Sequence, residues 1–336
     1  MPLETLLLAA ALTSVTPNPT ERFSEAIGAA LQADEGKALA ALQGVDLSSL
    51  DARNRDAATC MLARFAPNSR PPVAGSDSVA DRSLAIYSDY WHRSMTHPEG
   101  RAAEEQRLEE QLRKLLGAST ETDLDALEPI LANALEKEGA FSLQGRTGLL
   151  RELMIWSKQD EKLMNVALPE GRHDVKVLLL DEFKSFGWGH YATCGRASTG
   201  GWATDKALFA VVSKYPSLED ESFKVTFLGH EAQHFADKTR FKDLVSWELE
   251  YRAKLTELAQ AETTRGRVLE KFITDQGDDP ASPHSYANKR VLADMTRELG
   301  LANAKDLATA HAGRVRSAAA ELLREDSARR IKDVTK

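Results

Sequence analysis

The chain has 336 residues, with 43 Lys and Arg against 51 Asp and Glu, for a formal net charge of -8. Such acidity excludes a general nucleic-acid binder, whose affinity rests on clustered basic residues that neutralise phosphates. A composition of 42% hydrophobic and 28% charged residues excludes a fibre, a disordered tail or a disulfide scaffold, and no apolar run nears the roughly 18 to 20 residues of a spanning helix, so no integral membrane segment is expected.

Residues 1–20 read as a tail. Its Leu6–Leu12 apolar run is a weak export hint without a basic region before it, since the first Lys or Arg is Arg22. A packed terminal helix is the other reading, so the compartment stays open between cytoplasmic and periplasmic or secreted. The two cysteines, Cys60 and Cys194, are far apart and outside any CxxC pattern, and do not decide it.

Residues 21–168 read as a helical domain. Phe23, Ile27, Ala30 and Leu31 share one face of its first helix, and Leu108, Leu112, Leu115 and Leu116 share one face of a later helix that should stop at Gly117. Pro67 to Gly75 reads as a loop, because three prolines and a glycine resist helix continuation.

The pattern changes near residue 170. In the second domain, residues 169–336, Val175 to Leu180 and Ala207 to Ser213 are apolar runs of strand length, separated by glycine-rich stretches. They predict a small sheet with a glycine-rich hairpin, with helices returning after Pro216. The expected fold class is therefore α+β, mainly α.

The chemistry lies in Phe227 to Asp237, which contains His230-Glu231-x-x-His234. Residues four apart on a helix sit one turn above each other, so both imidazoles can reach one zinc ion, which needs a third protein ligand and an open position for catalysis. Glu231 lies beside that ion, placed to take a proton from water activated by the metal. Val225, Leu228, Ala232, Phe235 and Ala236 fall on the opposite face, so the helix can pack on its apolar stripe and aim its histidines at a cleft. Asp237, three residues after His234, shares its face and is a candidate to orient an imidazole.

The helix should end near Lys238 and a second should run from Asp243 to about Gln260. In an antiparallel hairpin turning near residue 240, position 230 faces about 250, which brings Glu250 to the height of the metal. Glu248 is a rival, because it lies within the apolar stripe of Leu244, Tyr251, Leu255 and Leu258 and a buried carboxylate needs a partner. Cys194 is a second rival, since peptide deformylases also combine a helical HExxH with an upstream cysteine.

Together, His230-Glu231-x-x-His234 and Glu250-Tyr251-Arg252-Ala253 resemble the HExxH and ExxA segments of the gluzincin zinc metallopeptidases, over roughly residues 175 to 260. That resemblance implies a zincin-like domain with His230, His234 and Glu250 as zinc ligands and Glu231 as general base. It further implies a peptide or protein substrate aligned on an edge strand, for which Ala207 to Ser213 is the candidate. Where many gluzincins carry Asp after the ExxA alanine, this chain has Lys254. Donors to the oxyanion could come from His190, Tyr191, Tyr251 or Arg252. The expectation is zinc-dependent peptide-bond hydrolysis. A zinc protein without catalysis and a helical interaction scaffold are the alternatives, and the oligomeric state is not legible.

Overall fold

The computed structural model describes residues 18–71 and 74–334, so the Leu6–Leu12 run lies outside the described residues. With 58% helix and 16% strand the protein is α+β, mainly α, as the patterning predicts. No helix among the described residues is long and apolar enough to cross a membrane. Two compact units are formed, Met1–Ser157 with Phe183–Ser198, and Lys158–Glu182 with Thr199–Lys336.

The first unit begins with helices α1 (Pro19–Leu31), α2 (Glu35–Leu42), α3 (Ala52–Arg64), α4 (Val79–Thr96), α5 (Arg101–Leu116) and α6 (Leu124–Glu136). All but α5 start at a side-chain cap, from Asn18, Asp34, Asp51, Ser78 and Asp123, whose oxygens accept otherwise orphaned backbone N–H groups. Helix α5 ends at Gly117 in the left-handed region, φ 64°, a conformation that glycine adopts without steric cost. Phe23, Leu108, Leu112, Trp91 and Leu131 join the buried core of this unit.

The helical reading does not extend to residue 168. After α6 the chain forms β1 (Phe141–Thr147) and β2 (Leu150–Leu168), antiparallel from the pair Phe141 and Trp156 to the pair Thr147 and Leu150. Glu, Lys, Gln, Leu and Met favour helix in β2, but cross-strand pairing and burial of Leu153, Met154, Ile155 and Trp156 override that preference. Glu170-Gly171 is accordingly a strand connection and not a helix end, because β3 (Gly171–Phe186) begins there. A short helix α7 (Trp188–Ala192) follows β3. Cys194 then bonds Cys60 of α3 in a disulfide that closes a separation of 134 residues.

The second unit adds β4 (Gly201–Ala203) and β5 (Leu208–Val211). Hydrogen bonding orders the strands β1-β2-β3-β5-β4, with β5 parallel to β3 and antiparallel to β4. The run expected to be an edge strand, Ala207 to Ser213, is therefore internal, and the edge is the short β4. Sheet residues Val175, Val177, Leu179, Leu208 and Ala210 pack on Phe223, Phe227, Leu228 and Ala232.

A helical turn, α8 (Glu221–Phe223), passes through a π-helical segment, Lys224–Gly229, into α9 (His230–Arg240). Gly229 sits at that junction, where a Cβ would lie 2.9 Å from Gln260 Oε1 and 3.2 Å from the Lys224 carbonyl. A side chain here would displace the Gln260 amide at the end of α10 (Ser246–Gln260) and press on the Lys224 carbonyl, so glycine gives the junction its room. Helices α11 (Arg265–Thr274), α12 (Pro283–Leu299) and α13 (Ala312–Val334) complete a second core with α10, built on Leu255, Leu258, Phe272, Val291, Met295 and Leu323.

Candidate metal centre

Helix α9 packs on α10, and of its expected apolar stripe Ala232 is buried with the sheet residues while Phe235 and Ala236 are half-buried; Leu228, in the π-helical segment before α9, is buried too. His230 and His234 consequently share the other face, one turn apart, with Nε2 atoms 3.1 Å from each other. From α10, Glu250 closes the triangle, with Oε2 3.6 Å from His230 Nε2 and Oε1 3.4 Å from His234 Nε2. These three are the only His, Cys, Asp and Glu group among the described residues whose donor atoms converge in this way.

The spacing can be tested against the ion that the motif implies. Tetrahedral zinc with ligands at about 2.05 Å has ligand atoms about 3.3 Å apart, the edge of the tetrahedron. The two imidazole nitrogens are 3.1 Å apart, while His234 meets Glu250 Oε1 at 3.4 Å and His230 meets Oε2 at 3.6 Å, so a zinc ion taking one oxygen would require the Glu250 carboxylate to turn toward it. The donor set, two imidazoles and one carboxylate, also suits zinc.

Surrounding groups prepare these ligands. His230 Nδ1 lies 2.5 Å from Glu257 Oε1, so the carboxylate accepts the Nδ1 proton and Nε2 faces the ligand cluster. Burial alone would lower the pKa of His230, but Glu257 and Glu250 reverse this and push it up to about 10. Glu250 is in turn held well below the usual carboxylate range: burial opposes this, and His230, His234 and His284 outweigh it. His284 Nδ1 approaches Glu250 Oε2 at 2.8 Å, and Lys254 Nζ stands 3.5 Å from the same oxygen. The Lys254 ammonium lies 5.0 Å from the Phe272 ring centre. The Lys254 cation thus supports the Glu250 carboxylate.

Glu231 projects into a cleft of about 990 Å³. His230, Glu257, Lys254 and His284 line its metal side, Thr199 to Gly201 and Tyr215 another wall, and Arg267, Val268 and Lys271 of α11 a third. Tyr215 donates its hydroxyl to the Gly200 carbonyl at 2.9 Å, and its pKa is raised by burial and then by the charge of Glu231. At Gly201 a Cβ would meet the Phe209 carbonyl at 2.3 Å and the Phe227 ring at 2.5 Å, so this wall needs glycine for its close packing.

The rivals for third ligand are elsewhere. Glu248 pairs with Arg330 at 3.0 Å and accepts from the Val245 N–H, so its place in an apolar stripe is explained by an ion pair. Cys194 is committed to its disulfide. Asp237 does not orient an imidazole: its Oδ1 accepts from Gln233 at 2.9 Å and from Arg252 at 2.8 Å, and Glu257 takes the role expected of it, on His230.

Two of the four expected oxyanion donors are committed to other partners within the second unit. Tyr251 donates to Asp294, and Arg252 is fully buried among Asp237, Asp326, Glu170 and Ser327. His190 and Tyr191 belong to the first unit, where Arg64 lies over the Tyr191 ring. Sequence reasoning missed Glu257, His284 and Tyr215. Glu257 carried a readable signal, since it lies seven residues after Glu250 and therefore on the same helix face. His284 carried none, because only tertiary packing of α12 brings it to Glu250.

Comparison with protein-family models, with curated proteins and with solved structures finds no match for this chain.

Proposed function

We propose that the protein is a zinc-dependent metallopeptidase of gluzincin type, with His230, His234 and Glu250 as metal ligands and Glu231 as general base. The observation that carries the reading is the convergence of two imidazoles and one carboxylate, with donor atoms within 4.8 Å of one another, beside a cleft that contains Glu231. Zinc bound there would supply a Lewis acid that polarises a peptide carbonyl and acidifies water.

The chain's own residues supply the rest. Glu231 takes the proton of the attacking water and returns it to the leaving amine. Glu257 keeps the His230 ring oriented, and His284 and Lys254 hold the Glu250 carboxylate in place. His284 lines the same cleft and, with only its Nδ1 engaged by Glu250, is the candidate donor to the developing oxyanion, whereas the Tyr215 hydroxyl already gives its proton to the Gly200 carbonyl. The backbone at Thr199 to Gly201, at the edge strand, is the surface on which an extended peptide would align.

The test is zinc-loaded protein assayed on a quenched-fluorescent peptide library, with Glu231→Gln as comparison. Cleavage should fall at least about 100-fold in the variant, the scale of a lost general base, with its zinc retained. Equal turnover by both proteins would reject the assignment of Glu231, and zinc-loaded protein that cleaves nothing would reject the peptidase reading.

A further inference from the structure

The cleft wall opposite the glycine-rich segment is built from α11, where Arg267 and Lys271 stand one helical turn apart with Val268 beside them. Both cations are exposed, and neither has an ion-pair or hydrogen-bond partner among the described residues. Arg267 senses the charge of Asp220 without contacting it, and the Asp220 carboxylate is engaged with the backbone N–H of Ser222 at 2.8 Å. Val268 is buried, so the two charges are set on an apolar base. The acids lining the cleft are otherwise occupied: Glu257 binds His230, and Glu231 sits beside the metal ligands.

Two unpaired cations on one wall of a cleft attract an anion and cost nothing in broken ion pairs when it arrives. Resting on the peptidase reading above, we infer that Arg267 and Lys271 select substrates carrying a carboxylate close to the scissile bond. The group would be either an Asp or Glu side chain or the C-terminus of the peptide; the chemistry recognised is the same. A guanidinium favours a carboxylate by matching it with two parallel N–H donors, and the ammonium one turn away adds a second charge.

Three hydroxamate-capped peptides test this on the zinc-loaded full chain by calorimetry. One is neutral with an amidated C-terminus, one carries a free C-terminal carboxylate, and one is amidated with Asp in place of Ala. At least one acidic probe should bind about tenfold more tightly than the neutral one, as expected for two partly exposed charge pairs, and the one that does identifies the source of the carboxylate. The advantage should shrink in higher salt. In the Arg267→Gln, Lys271→Gln double variant, checked to retain zinc, the ratio should fall to near one, and each single variant should lose about a threefold share. Equal binding of all three probes, or an advantage that survives the double variant, overturns the inference. If zinc is bound but no hydroxamate binds, the peptidase reading fails and the inference falls with it.

Discussion

Replacing Arg252 with Met tests how the two helices of the candidate metal centre are held. Arg252 is two residues from Glu250 on α10 and reaches Asp237 on α9, three residues after His234, at 2.8 Å. Its other contacts are Asp326 of α13 at 2.8 Å, Glu170 at 3.2 Å and Ser327 at 3.0 Å. The Arg side chain is 0% exposed and Asp237 is 1% exposed, so removing the cation leaves Asp237 buried without a positive partner, while Asp326 keeps Arg329 and Arg330. Breaking a buried pair from one side costs about 3–5 kcal/mol. For a unit of this size that is a Tm lower by about 6–20 °C.

The loss should depend on pH. Asp237 is already raised by burial, with Arg252 opposing that rise, and Asp326 is held low by Arg330 and Arg252 against its own burial. Without Arg252 the Asp237 value rises further above the unfolded one, while Asp326 keeps Arg330. The variant then loses stability as pH rises through the carboxylate range and recovers part of it in acid. Urea denaturation at pH 4.5 and pH 7.5 measures both effects, and Arg252→Met combined with Asp237→Asn should recover much of the loss. A change below about 1 kcal/mol, or one equal at both pH values, would refute the reasoning.

Three further outcomes are expected. Glu257→Gln should weaken zinc affinity about 10–100-fold by removing the acceptor that orients His230, and an unchanged competition titration against a chromophoric chelator would count against that role. Glu35 is 1% exposed with both carboxyl oxygens lacking hydrogen-bond partners, and burial raises its pKa from 4.5 to about 8, against the nearby charge of Arg64. Its folded form holds the proton longer than the unfolded chain does, so its contribution to stability should fall by on the order of 3–5 kcal/mol between pH 4.5 and 8 and then level off; Glu35→Gln should remove that slope in pH-dependent unfolding, and a slope that persists would contradict it. Reducing the Cys60–Cys194 disulfide should lower stability by about 2–5 kcal/mol, read as a drop in Tm on adding a phosphine reductant, whereas an unchanged Tm would deny the bond a stabilising role.

What was legible in the sequence follows the range of the interaction that fixes each feature. His230 and His234 are set by helical repeat, and Glu250 by the length of a helix hairpin, so both could be read from local spacing. The end of α5 was readable from Gly117, and α9 runs two residues past the end expected near Lys238. Strand β2 was hidden because its residues favour helix and only pairing with β1 and burial override them. The position of β5 inside the sheet depends on β4, a strand of three residues too short to recognise alone. His284 and the Cys60–Cys194 bond arise from packing between segments 34 and 134 residues apart, for which no local pattern exists.

The central claim is a zinc ion held by His230, His234 and Glu250. Elemental analysis of untagged protein, with His230→Ala, His234→Ala, Glu250→Ala and Glu248→Ala beside the parent, tests it most directly. The account predicts about one zinc per chain, lost from the first three variants and retained in Glu248→Ala. Parent protein without stoichiometric zinc after incubation with the metal, or zinc retained in Glu250→Ala and lost in Glu248→Ala, would contradict it.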